Sequence, residues 1–164
     1  MIVRLSKALL VALIGSFALL VGVDNVIDYG ANFAFVQHVM SMDTVFPDNE
    51  LKWRSVAQPV LQHAAYALII GLELLTGILC LTGALRLWAA RKAPALQFNR
   101  AKAIAVAGLV CGLGLWFFGF IVVGGEWFDM WQSAKWNGQQ AAFRFIACLG
   151  LVLIFLNQRD EEIG

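Results

Sequence analysis

Apolar residues in this chain gather into four runs, roughly Leu5–Ile27, Ala64–Leu87, Ala103–Gly125 and Ala141–Leu156, and charged residues fall mostly between them. An apolar helix of about 20 residues spans the ~30 Å hydrocarbon core of a bilayer. Each run therefore predicts one transmembrane helix, and the whole predicts an all-α integral membrane four-helix bundle. The expected organisation is a single domain, 1–164, with spans at about 5–27, 64–87, 103–125 and 141–157. The fourth run is the shortest without interruption, Phe145–Leu156. It fits only if Arg144 sits near the membrane surface, burying its stem and hydrating its head. The first run follows Arg4 and Lys7 as a signal peptide would. No small-x-small cleavage pattern precedes Asp24, however, and the run is long for such a segment, so a helix is expected.

The connections carry patterns of their own. In the 28–63 loop, Phe35, Val39 and Met42 recur at helical spacing, as do Phe33, Val36 and Met40. A short amphipathic helix lying in the interface plane is expected there. Asp43-Thr44 then offers a turn, Phe46-Pro47-Asp48-Asn49 reads as loop, and Gln58-Pro59 suits the first turn of the next helix. In the 126–140 loop, Gly124-Gly125 is expected to end the third span. Trp127 and Trp131, four residues apart, are expected to share a helix face, followed by Trp136.

Composition sharpens the membrane reading. The chain is 60% hydrophobic and 14% charged, with mean hydropathy +0.75, where a soluble domain is typically about 25% charged. A net charge of +1 provides no field for steering nucleic acid. Cys80, Cys111 and Cys148 each lie inside an apolar run, where single cysteines pack as small hydrophobes. No spacing suits a disulfide scaffold or a metal. The 88–102 segment and its flanks carry Arg86, Arg91, Lys92, Arg100 and Lys102 without an acid. By the positive-inside rule this loop faces the cytoplasm, as do both termini, and loops 28–63 and 126–140 lie outside.

Glu73 is the first candidate for chemistry. It lies near the middle of the second run, where an acid costs ~2.5–3.5 kcal/mol on insertion scales. That cost predicts burial within the bundle. Counting inward from the outer ends puts it level with Gly15-Ser16, Cys111-Gly112-Leu113-Gly114 and Cys148-Leu149-Gly150, a layer of small residues. Gly108 and Gly112 have a spacing that permits close helix approach. No lysine or arginine lies at that depth, so the acid is expected in its protonated form, either bonded to Ser16, Thr76 or a freed carbonyl, or acting as a proton or cation site. A second group, Asp24, Asp28, Glu126, Asp129 and Arg144, is expected at the outer mouth, with Arg144 paired to Asp24 or Glu126. Trp127, Trp131, Trp136, Phe33 and Phe35 form either an aromatic belt or the lining of a pocket for a lipid, a quinone or a partner helix. His38 and His63 are the only histidines. One lies in a loop, which disfavours a haem between them. No metal site, phosphate loop or catalytic triad pattern appears.

Several groups of residues together carry a resemblance: Asn25-x-x-Asp28-Tyr29, Asn32-Phe33-x-Phe35-Val36-x-His38-Val39, Met42-Asp43-Thr44, Phe98-Asn99-Arg100-Ala101-Lys102, Gly124-Gly125-Glu126-Trp127-Phe128-x-Met130-Trp131-Gln132-Ser133, and Trp136-Asn137-Gly138-Gln139-x-Ala141-x-Phe143-Arg144-Phe145. With them the chain resembles the bacterial "predicted small integral membrane protein" family, domain of unknown function 2165, over almost its whole length. The resemblance implies a four-helix protein of the bacterial inner membrane and implies no reaction or functional residue. Three functions are expected, in this order. The first is a non-catalytic accessory or structural subunit of a larger membrane assembly, through a membrane-protein partner or self-association. The second is an oligomeric transporter or channel with Glu73 titrating. The third is a quinone- or haem-associated redox component. No cofactor is expected beyond a bound lipid or quinone.

Overall fold

A computed structural model describes residues 1–162. Residues 163–164, the end of the tail assigned from sequence to the cytoplasm, lie outside the described residues. Four helices are long and apolar enough to cross a membrane, and no strand occurs among the described residues. The first is α1, Ile2–Ile27. Only Asp28 separates it from α2, Tyr29–Ser41. The second span is α3, Pro59–Ala89, with Pro59 in its first turn as the sequence predicts. Next come α4, Ala95–Ala101, and α5, Ala103–Leu113. The third span continues without a break from α5 as a wider π-helical stretch, Gly114–Trp127. There the backbone bonds run from i to i+5, as in Phe128 N to Val123 O at 3.1 Å. The last span is α6, Gln139–Asn157. Gly124-Gly125 does not end the third span: both glycines are buried and the wide helix runs on to Trp127.

The central helix is α3, with α1 on one side and α5 on the other, while α6 packs on α5 and its π-helical continuation. The crossings are built on glycine. Gly15 faces Cys80 and Leu81, Gly22 faces Glu73 and Leu74, and Gly77 faces Leu19. On the other side Gly83 faces Ala105, Gly108 faces Cys80 and Leu79, and Gly112 faces Thr76. A Cβ at Gly83 would stand 2.5 Å from the Ala105 backbone nitrogen. Hydrocarbon offers no hydrophobic driving force between helices, so close backbone approach supplies the packing attraction instead.

The small-residue packing is real, and Glu73 keeps its expected level on the third span, where Cys111 Sγ lies 3.9 Å from Leu72 O, but not on α1. Its α1 neighbour is Gly22, not Gly15-Ser16. The start of the second apolar run overhangs the end of α1: Tyr66 Oη reaches only its Asn25 carbonyl, at 3.5 Å, and Tyr66 and Ile70 pack on Val36 of α2. Counting from Ala64 therefore placed Glu73 too deep. It faces the last turns of α1, at the end of the bundle that carries α2 and both long connections. This is the cap end, and the opposite end carries both termini and α4.

Candidate functional site

At the cap end, Glu73 is 3% exposed. Asn25 Nδ2 donates to its Oε2 at 2.8 Å, and Asn32 Nδ2 donates to Asn25 Oδ1 at 2.7 Å. One acid and two amides thus join α3, α1 and α2 in a line. The partner is neither Ser16 nor Thr76, whose Oγ1 is buried without a hydrogen bond. Ser16 is out of reach because Glu73 faces Gly22, about two turns further along α1.

The mouth residues are not an ion-pair cluster. No salt bridge joins Asp24, Asp28, Glu126, Asp129 and Arg144 among the described residues. Helices α1 and α6 meet through Phe17 and Phe145, with ring centroids 4.7 Å apart. Arg144 is therefore held about two helical turns below Asp24. Both side chains are exposed, as are Asp28 and Glu126. Asp129 is buried and accepts from Asn49 Nδ2 at 2.9 Å.

The aromatic candidates fall into four separate groups. Trp127 and Trp131 do not share a helix face, because Asp129 enters the left-handed region at φ 51° and Met130–Gln132 is a separate 3-10 turn. Trp127 meets Trp53 edge-on, and Trp131 meets Phe46 edge-on. Trp136 stacks on His38, whose Nδ1 lies 2.7 Å from Asp43. Phe33 stacks on His63 at 4.0 Å, and Tyr29 Oη bonds His63 Nδ1 at 2.8 Å. Phe35 packs between Phe120 and Trp136.

The two connections fold on each other as a cap. Thr44 Oγ1 donates to Ser133 Oγ, and Gln132 Oε1 accepts from Phe46 N and from Asn49 Nδ2, all at 2.9 Å. Val56 N bonds Met40 O at 2.7 Å, and buried Gln62 donates to Ser41 Oγ and Val56 O. Val39, Met42, Val45, Phe128 and Met130 form a small core beneath. Under this cap, between α2, α3 and the π-helical stretch, lies a cavity of about 320 Å³ lined only by apolar residues and glycine, including Phe35, Val39, Leu72 and Phe120.

A second polar cluster, at the termini end, escaped sequence analysis. Lys7 and Lys102 both reach Asp160 Oδ2, at 2.6 and 2.5 Å. Both also donate to Gln158 O, and Asn99 exchanges hydrogen bonds with the Asp160 backbone. Arg4 donates to Ala93 O at 2.6 Å and Glu161 O at 2.7 Å, with its guanidinium over Phe98. All four ionic side chains are buried. Burial alone would raise the Asp160 carboxyl, but hydrogen bonds from Lys102 and Lys7, with their charges, hold it below the ordinary carboxylate range. The signal was present in Asp160, an acid beside a strongly basic loop, but its pairing spans most of the chain.

A family model described as predicted small integral membrane protein, a domain of unknown function, matches residues 3–159. No curated protein and no solved structure matches the chain. No group of three or more His, Cys, Asp or Glu side chains suited to a metal occurs among the described residues.

Proposed function

The chain belongs to the family of predicted small integral membrane proteins of unknown function, and from that premise we propose that it serves as a non-catalytic accessory subunit of a larger membrane assembly. The observation that carries this reading is the placement of Glu73. Its carboxyl group faces α1 in the interior and is bonded to Asn25. A site titrating in a transport pathway must face that pathway, whether it runs through the chain or along an interface between copies. What supports the fastener reading is that Glu73 bonds Asn25, which in turn bonds Asn32, and so ties α3 to α1 and α2. What it fastens is a cap far larger than a four-span protein needs as a turn. The cap presents Phe46 and Trp131, each 49% exposed, as a fixed edge-to-face pair. Exposed aromatic anchors of this kind are enriched where proteins dock.

On this reading the termini end lies in the cytoplasm and the cap outside, in the inner membrane of a bacterium, an orientation that the basic 88–102 segment supports. The test has two arms. Photo-crosslinking from position 131 in native membranes should yield one protein adduct of fixed mass, absent when the crosslinker replaces lipid-facing Leu13. Glu73→Gln protein in proteoliposomes should show the same proton and cation flux as the parent chain. Flux that depends on Glu73 would instead favour the transporter reading.

A further inference from the structure

The apolar cavity beneath the cap and the cation above it have a common explanation. Leu68 and Phe118, on two of the walls, are 63% and 61% exposed. On α3, Leu68 continues the row of exposed leucines at Leu61 and Leu75. The cavity is thus continuous with the lipid-facing surface of the bundle, and hydrocarbon is the medium at its mouth. Its room comes from glycine. A Cβ at Gly114 would meet nothing within 4 Å, and one at Gly119 only Leu115 Cδ1 at 3.8 Å. Both glycines line the cavity, and neither is required by helix packing. A volume near 320 Å³ falls at the lower end of the range of small-ligand sites. A wholly apolar lining gives a polar ring nothing to bond, which suits a hydrocarbon chain.

The second observation is Arg54. Its guanidinium lies between Trp127, 4.8 Å from the ring centroid, and Trp53, at 5.5 Å. Its Nε is buried without a hydrogen-bond partner, and Nη1 makes only two long contacts, 3.4 Å to Glu126 O and to Trp127 O. Those carbonyls immediately precede Phe128, one of the cavity walls. A cation with unused donors, flanked by two exposed tryptophans, is thus tied to the two residues that precede a wall of the hydrocarbon slot. A phospholipid offers both complements, an anionic phosphate at the interface and an acyl chain below it.

We propose that this cavity holds one acyl chain of a resident phospholipid whose phosphate rests on Arg54. The proposal is independent of the accessory-subunit reading. It is tested with the full chain in phosphatidylethanolamine–phosphatidylglycerol vesicles doped with a phosphatidylcholine carrying a diazirine in one acyl chain. After illumination, peptides containing Val36–Met40 and Phe118–Val123 should be labelled above those containing Leu9 and Leu13. The G114L/G119L double variant, which fills the slot, should lower cavity labelling about tenfold, as expected from losing several buried methylenes, and leave Leu9 and Leu13 labelling unchanged. Arg54→Gln should reduce phospholipid retained in native mass spectra about tenfold. Should the double variant fail to fold, Leu68→Trp at the exposed mouth gives the same readout without altering a buried position. Uniform labelling of all lipid-facing peptides, indifferent to these variants, would overturn the proposal. So would a retained ligand that is an isoprenoid lacking phosphate.

Discussion

At the scale of single residues, the hydrogen bond between Asn25 and Glu73 explains how an acid is tolerated beside the core of a membrane bundle. Replacing Glu73 by Gln keeps an oxygen to accept from Asn25 Nδ2, so the unfolding midpoint in detergent should barely move. Asn25→Leu removes the donor and leaves the acid buried and unmatched. That should cost about 1–3 kcal/mol, and the same unfolding assay reads it. The sequence pointed to Glu73 through the cost of a carboxyl at depth. It did not identify Asn25 as the partner, because an amide two residues from the end of α1 looks like an ordinary surface residue until α2 folds back over it. Asp160 makes a different prediction. Its folded carboxyl titrates below its unfolded value, so its contribution is complete above the ordinary carboxylate pKa of about 4 and is lost as pH falls through the lower, folded value. A fluorophore on the tail should report a docked tail at neutral pH and release in acid. Asp160→Asn should remove that pH dependence.

At the scale of elements, the glycines separate packing from mere presence. Gly83 faces the Ala105 backbone, with Cα at 2.6 Å from a built Cβ, whereas Gly71 on the same helix has nothing within 4 Å. Gly83→Ala must push α3 and α5 apart and should destabilise by about 1–3 kcal/mol. Gly71→Ala should be neutral or stabilising by up to about 1 kcal/mol, through helix propensity alone. Thermal unfolding of the pair in one detergent checks both. The spans themselves were legible because a twenty-residue apolar run has few alternatives in water. Their relative heights were not. Hydropathy shows where a helix leaves hydrocarbon but not whether its first turns pack along another span or, like Tyr66 and Ile70, on a connecting helix such as α2. The same blindness made Gly124-Gly125 look like a terminus, when the π-helical turns carry the chain through both residues.

For the molecule as a whole, each end is closed by its own polar device, with amides and hydroxyls under the aromatic cap and lysines on a carboxylate at the termini. The glycine-packed spans connect the two. The termini end was half legible, since the charge rule identified its basic loop but nothing local linked Lys7 to Asp160 across the chain. The mouth ion pairs expected around Arg144 failed for a similar reason: nearness in a list of span ends does not fix the height at which helices cross. The functional reading depends on the cap standing outside the cell and the knot of Arg4, Lys7, Lys102 and Asp160 standing inside. A membrane-impermeant maleimide applied to intact cells tests this most directly, using single cysteines at Asn49 and at Ala93 in a background lacking Cys80, Cys111 and Cys148. Position 49 should label from outside, and position 93 only after the membrane is opened. Labelling of position 93 in intact cells, or equal labelling of both positions, would contradict the account.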